Sequence, residues 1–436
     1  MAQAMIYPDS YYAEEAAALI DRAPSGKSRE FPGSVDVIII GGGFAGLTCA
    51  LELARSGMSA VLFEARKIGW GASGRNGGFV SAGFAQGLPA LISKLGYSHA
   101  TALFSLSHQG GEYVRRKATA IDPGIIDEHG GLSVSRHPDP GAMAKAVEIY
   151  AGLGIETRHI PRTGLRHMLK SDRYFEALEN RQTFSIQPLA YALGLARKAR
   201  EAGVQIFEDC APGSLMKTGS QRGVTVHGKA IKAPHVVLAG SAYMSGLYPR
   251  LERAVLPVAT YVITTQPMSG LLDTAIDYPG CISDTRRAGD YYRRLRDGRL
   301  LWGGRITTRR SEPTALAQML KKDILEIYPQ LGNFEISHAW SGLMGYAIHK
   351  MPIISELEPG LWCATAFGGH GLNTTAMAGQ LIASAITQGD DRWRQFSPFG
   401  PAWAGGVIGR AGTQAAYWLM QGCDWLEEKS NRGRGG

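Results

Sequence analysis

The chain of 436 residues has no apolar run near the roughly 18 residues that a membrane-spanning helix needs. It has only five cysteines, Cys49, Cys210, Cys281, Cys363 and Cys423, none close enough in sequence to another to suggest a metal or redox pair. They read as reduced packing residues of a cytoplasmic protein. Charge is modest, at 19% of residues. Lys+Arg 46 minus Asp+Glu 38 leaves +8, scattered over pairs such as Arg286-Arg287, Arg293-Arg294, Arg309-Arg310 and Lys321-Lys322. No basic module interleaved with aromatics stands out, which argues against a nucleic-acid partner. No Ser-His-Asp order or metal-ligand spacing appears. No early apolar region precedes a cleavage site, and residues 1–33 read as a polar, partly helical lead-in.

What the chain has in plenty is glycine, 56 residues gathered in turn clusters, as in an α/β protein with many tight loops. The most informative cluster follows an apolar run. Val35 to Ile40 leads into Gly41, Gly43 and Gly46 in G-x-G-x-x-G spacing, with Phe44 and Ala45 inside it. A helical pattern follows at Leu47, Ala50, Leu51 and Ala54. A second run, Ala60-Val61-Leu62-Phe63, ends at Glu64, 18 residues after Gly46. Strand, turn, helix, strand and acid form a dinucleotide-binding signature. Gly41 permits the turn, Gly43 lets a pyrophosphate approach the backbone, and Gly46 lets the helix pack on the sheet. The helix N-terminus faces the phosphates, and Glu64 can take a ribose hydroxyl pair. A glycine-rich turn that binds nothing has no need of that acid.

Arg66 to Gly78 is glycine-rich and irregular, an extended loop hugging something flat or charged. Helical patterns are expected at about 89–120, 141–153, 188–202 and 313–328, with strands at 204–207, 223–227 and 235–240. From Pro257 the texture becomes that of an antiparallel sheet. Strands are expected at 258–265, at 291–295 and 299–304 around the Asp297-Gly298 turn, and at 336–343. A buried strand at 361–366, a glycine turn at 368–371 and a helix to about Gln388 return to the first texture. The expected fold is α/β: a discontinuous Rossmann-type dinucleotide-binding domain (34–88, 185–250, 351–392) and an inserted antiparallel-sheet substrate domain (89–184, 251–350). An aromatic C-terminal tail, 393–436, follows.

The opening fingerprint, Glu64-Ala65-Arg66 with Gly69-Trp70-Gly71-Ala72-Ser73-Gly74-Arg75-Asn76-Gly77-Gly78, and Phe367-Gly368-Gly369-His370-Gly371-Leu372-Asn373 together resemble the D-amino-acid oxidase superfamily. Within it the chain is most similar to the branch of γ-glutamylputrescine oxidases. The resemblance implies FAD with its ring between the two domains; no cysteine stands at an obvious flavinylation position, so noncovalent binding is expected. It assigns Gly41, Gly43, Phe44, Ala45, Gly46 and Glu64 to the ADP half, and Arg66 to the pyrophosphate or adenine region. Trp70, Gly71, Ala72, Ser73, Arg75, Asn76, Gly77 and Gly78 would line the phosphates and the flavin. Gly240 is assigned to the cofactor site, and Gly369, His370, Gly371, Leu372, Asn373 and Thr374 would hold the flavin edge, where amide dipoles stabilise negative charge.

The resemblance further implies oxidation of a C–N bond in a small amine, with hydride passing to flavin N5, hydrolysis of the imine, and reoxidation by O2 to hydrogen peroxide. Substrate-facing candidates are His370, Arg293, Trp340, Tyr346 and Tyr261, with Trp302, Arg305, His338 and His349 as further sheet positions. An arginine could clamp a carboxylate, and aromatics could box a cationic amine. Some relatives carry a lysine near flavin N5 in the segment that here reads Leu300-Leu301-Trp302. Without it, another cation such as His370 or an arginine serves oxygen, or a quinone is the acceptor. That second case suits an amino-acid or cyclic imino-acid dehydrogenase. A third class is a non-catalytic flavoprotein subunit. The tail is expected to pack on the FAD domain, with a peripheral membrane or subunit contact as the alternative.

Overall fold

A computed structural model describes residues 7–21, 30–138, 141–219, 221–244, 246–286, 289–309 and 312–432. Five strands run parallel in the order Leu361–Thr365, His235–Leu238, Val37–Ile40, Ala60–Phe63 and Gln205–Phe207, with Ile353–Glu358 antiparallel at one edge. Alternation divides the side chains between two cores. Val37, Ile39 and Leu62 pack under helices, while Ile38, Ile40, Val61 and Phe63 pack against a meander of Ser214–Thr218, Gln221–Val226 and Lys229–Ala233. The expected parallel sheet with helices is present, and its other face is covered by the meander.

The helices on the first face are Phe44–Arg55, Tyr97–Ile121, Pro188–Glu201 and Gly371–Gln388. Two segments expected in the substrate domain, Leu88–Leu95 and Tyr97–Ile121, belong here instead. Leu91, Leu103, Tyr113 and Val114 are buried in the same core as Leu47 and Leu381. The close fit depends on Gly110, where a Cβ would overlap the Asn373 carbonyl oxygen.

The second domain is an eight-stranded mixed sheet. Its order is Ile336–Tyr346, Leu256–Thr265, Leu300–Thr307, Tyr291–Arg294, Cys281–Asp284, Gly131–Ser135, Glu176–Asn180 and Thr157–Ile160. One face packs Ala259, Tyr261, Ile263, Tyr292 and Trp302 against helix Leu316–Ile327. The other face carries Val258, Thr260, Val262, Trp340 and Met344, and it is turned to the first domain.

The lead-in is not merely polar. Tyr7, Tyr11 and Tyr12 are buried, and Tyr12 meets Trp340 edge-on at 5.7 Å. Burial pushes the thiols of Cys49, Cys281 and Cys363 up to about 12, which keeps them protonated and inert, as expected of packing cysteines.

The helix Phe44–Arg55 sits on the sheet only because residue 46 lacks a side chain: a Cβ there would overlap the Gly41 carbonyl oxygen. Gly46→Ala must therefore lift the helix, and the expected loss is about 1–3 kcal/mol, read as a lower urea midpoint at unchanged slope.

Candidate functional site

The glycine turn closes as the sequence requires. Gly41 has φ +113°, and a Cβ there would lie 2.7 Å from the Ala239 carbonyl oxygen. Gly43 is different. A Cβ at that position would meet only the Ser73 hydroxyl, at 3.0 Å, so the backbone there is open to a ligand. Ser73 stands over the helix start, its oxygen accepting from the Phe44 amide at 3.0 Å. The Phe44 and Ala45 side chains are buried in the core, so only their backbone can serve a ligand.

The Glu64 carboxylate reaches back to the turn. It accepts from the Gly42 amide at 2.6 Å and from the Arg66 amide at 2.8 Å. Burial raises its pKa while these two amides oppose that shift. Gly42 was not among the expected site residues, although its place between Gly41 and Gly43 is a sufficient signal.

The loop 66–78 folds around Trp70. The guanidinium carbons of Arg66 and Arg75 each lie 4.2 Å from its ring centroid. Arg75 donates Nε to the Trp70 carbonyl at 2.8 Å and Nη1 to the Ser341 carbonyl at 3.2 Å. Its Nη2 is buried without a hydrogen-bond partner. Burial also lowers the Arg75 pKa, a sign of an under-compensated charge. Asn76 shapes the loop, donating to the Ala72 and Ser73 carbonyls at 3.0 Å and accepting from the Gly78 amide at 2.9 Å. Gly71 lies under Tyr243, and Gly77 lies against Tyr291. Ala65 is exposed.

The second glycine turn meets the sheet domain. Gly368 has φ +62°, and a Cβ there would come 2.8 Å from the Tyr346 ring; one on Gly369 would come 3.2 Å from the Tyr346 hydroxyl. The 18-residue helix Gly371–Gln388 starts at this turn with no side-chain cap from His370. Its first residues divide by role. Leu372 is buried in the core, Asn373 donates to the Gly83 carbonyl at 3.0 Å, and the Thr374 hydroxyl bonds the His370 carbonyl. Gly240 lies two residues beyond the strand His235–Leu238 and is followed by Ser241 at φ +51°.

The substrate-facing candidates separate. Tyr346 and His370 share the glycine turn. Trp340 is buried and donates Nε1 to the Arg75 carbonyl at 2.9 Å, so it supports the loop. Arg293 is buried and committed: it donates to the Gly77 carbonyl at 3.2 Å, the Ser185 hydroxyl at 3.1 Å and the Ile186 carbonyl at 3.3 Å, and lies 3.5 Å from Asp127. It ties domains together and has no donor aimed at a substrate carboxylate. Tyr261 is on the opposite face of the sheet, in the core with Trp302, which stacks on Tyr292 at 4.2 Å. Alternation predicts two faces but not which one meets the partner domain. Arg305 pairs with Asp323, His338 with Glu14, and His349 with the Gly400 carbonyl. Burial pushes the His370 imidazole pKa down, which favours its neutral form. Sequence reasoning missed Tyr291, although it shares its strand face with Arg293 and alternation could have found it.

Residues 36–385 match the model of a family described as FAD dependent oxidoreductase. The chain belongs to that family. It is 30% identical over 368 residues to gamma-glutamylputrescine oxidoreductase of Escherichia coli, covering 83% of this chain and 86% of that protein. It is 29% identical over 365 residues to a probable oxidoreductase of Haemophilus influenzae, covering 82% and 84%. Its fold is also that of glycine oxidase from Geobacillus kaustophilus, with a TM-score of 0.70 at 21% identity over 85% of this chain and 99% of that one.

The chain is thus an FAD-dependent oxidoreductase. The residues present fit its cofactor. The bare backbone at Gly43, the unpartnered Arg75 Nη2 and two helix starts aimed at glycine turns supply what a diphosphate and an anionic ring edge require. Two substitutions test the arrangement. Glu64→Ala removes a charge-assisted anchor of the turn, worth about 1.5–3 kcal/mol, so FAD should bind the apoprotein roughly 10- to 100-fold more weakly in a fluorescence titration. Arg293→Met leaves buried acceptors unpaired and should cost roughly 3–5 kcal/mol of stability in the holoenzyme, read by denaturant unfolding.

Proposed function

We propose that the enzyme oxidises a γ-glutamylputrescine-like amine at the carbon next to nitrogen. The observation that carries this reading is the meeting of Tyr346 with the Gly368–Gly369 turn, on the sheet face that also presents Thr260 and Tyr291. When bound, FAD supplies the hydride acceptor, and in this reading O2 restores it with release of hydrogen peroxide.

The chain's own residues do the positioning. Tyr291 and Tyr346 offer aromatic surface to an amine, and this low-dielectric setting favours the neutral amine whose lone pair assists hydride departure. The helix starting at Gly371 directs its N-terminal dipole toward the turn. Because Arg293 is committed elsewhere, it clamps no carboxylate beside the reacting carbon. A γ-glutamyl amine keeps its α-carboxylate many bonds from that carbon, which suits this arrangement better than an α-amino acid. The 30% identity to gamma-glutamylputrescine oxidoreductase supports the same substrate class.

A second reading, a dehydrogenase passing electrons to a quinone at a membrane surface, draws support from two features. No lysine stands in Leu300-Leu301-Trp302, and Val407, Ile408, Trp418, Leu419, Trp425 and Leu426 are exposed on the tail. Among the described residues no helix is long and apolar enough to cross a membrane, so the contact would be peripheral.

One experiment separates these readings. The oxidised holoenzyme is mixed without oxygen with γ-glutamylputrescine, putrescine, sarcosine, proline and pipecolate, and the visible flavin band is followed. Fastest bleaching by γ-glutamylputrescine, with rapid return of the band in air, is the expected result. Bleaching by proline or pipecolate alone, with slow return in air and fast return with a soluble quinone, would establish the second reading instead.

A further inference from the structure

The helix Gly406–Arg432 lies outside the 36–385 span that the family model matches. Its course departs from the expected one. The residues before it, Trp393, Phe396 and Phe399, pack on the FAD domain, but the helix itself crosses to the substrate sheet. Its inward stripe has helical spacing: Arg410, Gln414, Tyr417, Asp424. The Gln414 side-chain oxygen accepts from the Thr307 hydroxyl at 2.7 Å and the Thr308 amide at 2.9 Å. The Arg410 carbonyl accepts from the Thr308 hydroxyl at 3.2 Å. Tyr417 packs in one apolar cluster with Leu256, Val258, Ile306, Met344 and Tyr346.

The place of that cluster matters. Val258, Met344 and Tyr346 are on the sheet face turned to the FAD domain. Tyr346 touches the Gly368–Gly369 turn on one side and belongs to the Tyr417 cluster on the other. One side chain therefore separates the tail helix from the turn that holds the flavin edge. Burial raises the pKa of Tyr417, with Tyr346 as a further contributor, consistent with a ring turned inward. At its entrance the helix is set by two left-handed glycines, Gly405 at φ +81° and Gly406 at φ +56°.

We propose that the C-terminal helix is a wall of the substrate chamber, with Tyr417 limiting the size of the amine that reaches the flavin. This rests on the FAD site and the amine reading above. The span matched by the family model supplies the cofactor cradle and the sheet, and in this reading the helix beyond it closes a further side. Gln414 holds the wall in register through Thr307 and Thr308, acting as a positioning residue.

The test uses the full-length holoenzyme with Tyr417→Ala, Tyr417→Phe and Trp418→Ser. Trp418 is next in sequence but 60% exposed on the outer side of the helix. The first readout needs no substrate: iodide quenching of flavin fluorescence. Tyr417→Ala should raise the quenching constant severalfold, while Tyr417→Phe and Trp418→Ser stay at the wild-type value. The second readout is anaerobic flavin reduction by amines graded in bulk at nitrogen. Tyr417→Ala should shift the bulky-to-small ratio of kcat/KM toward bulky amines by about tenfold or more, the scale on which an apolar pocket discriminates by size. An unchanged quenching constant in Tyr417→Ala, or an equal rise in Trp418→Ser, would overturn the proposal. If no amine reduces the wild-type flavin, the amine reading falls, and iodide access alone still decides whether the helix is a wall.

Discussion

The two domains are joined through one buried guanidinium. Arg293 leaves the substrate sheet and bonds the carbonyls of Gly77 and Ile186 and the Ser185 hydroxyl, with Asp127 as counter-ion. Removing such a charge from water is expensive, and only a full set of partners offsets the cost. The partners come from three separate segments, so the ion can be satisfied only when all three are in place. Gly78 contributes by absence: a Cβ there would overlap the Ile186 carbonyl oxygen and crowd the Arg293 guanidinium. The glycine-rich loop 66–78 is thus positioned from the sheet domain as well as by its own turn.

The rest of the contact surface follows the same pattern of backbone acceptors taken by large side chains. Trp340 donates to the Arg75 carbonyl, Arg75 donates to Trp70 and Ser341, and Tyr12 braces Trp340 from the lead-in. Irregular backbone inside a protein must have its polar groups paired. Here the pairing crosses between domains. A loop with many glycines can then be rigid, although glycine alone would leave it free.

The readable parts of the sequence were those where one residue does one local job. Gly41, Gly43, Gly46 and Glu64 each act within the strand–turn–helix–strand unit, so their spacing announces them. The strands Val37–Ile40, Ala60–Phe63, His235–Leu238 and Leu256–Thr265 were equally plain, because β-branched runs between turns have few alternatives, whereas Gly131–Ser135, Thr157–Ile160, Glu176–Asn180 and Cys281–Asp284 were not read as strands. Arg293 was legible as an inward residue, but its partners Asp127 and Ser185 are far away in sequence and nothing local points to them. Tyr261 shows a similar limit, since period-two alternation names two faces and only packing decides which is the interface. The helix Tyr97–Ile121 was placed in the wrong domain because an apolar stripe of helical period fits either core. The tail shows the same ambiguity, as Gln414 and Tyr417 mark an inward face without naming the sheet it meets.

The edge-on contact between Tyr12 and Trp340 also has a meaning in time. Ribosomal synthesis delivers Tyr12 long before Trp340, and the five parallel strands are gathered from segments just as scattered. Such non-local pairing is slow, because chain entropy is lost before the contacts repay it. The lead-in cannot complete its packing, and its three buried tyrosines stay partly solvated, until the strand Ile336–Tyr346 brings Trp340 to Tyr12. During that interval those rings are exposed apolar surface on a nascent chain, the kind of surface that chaperones shield.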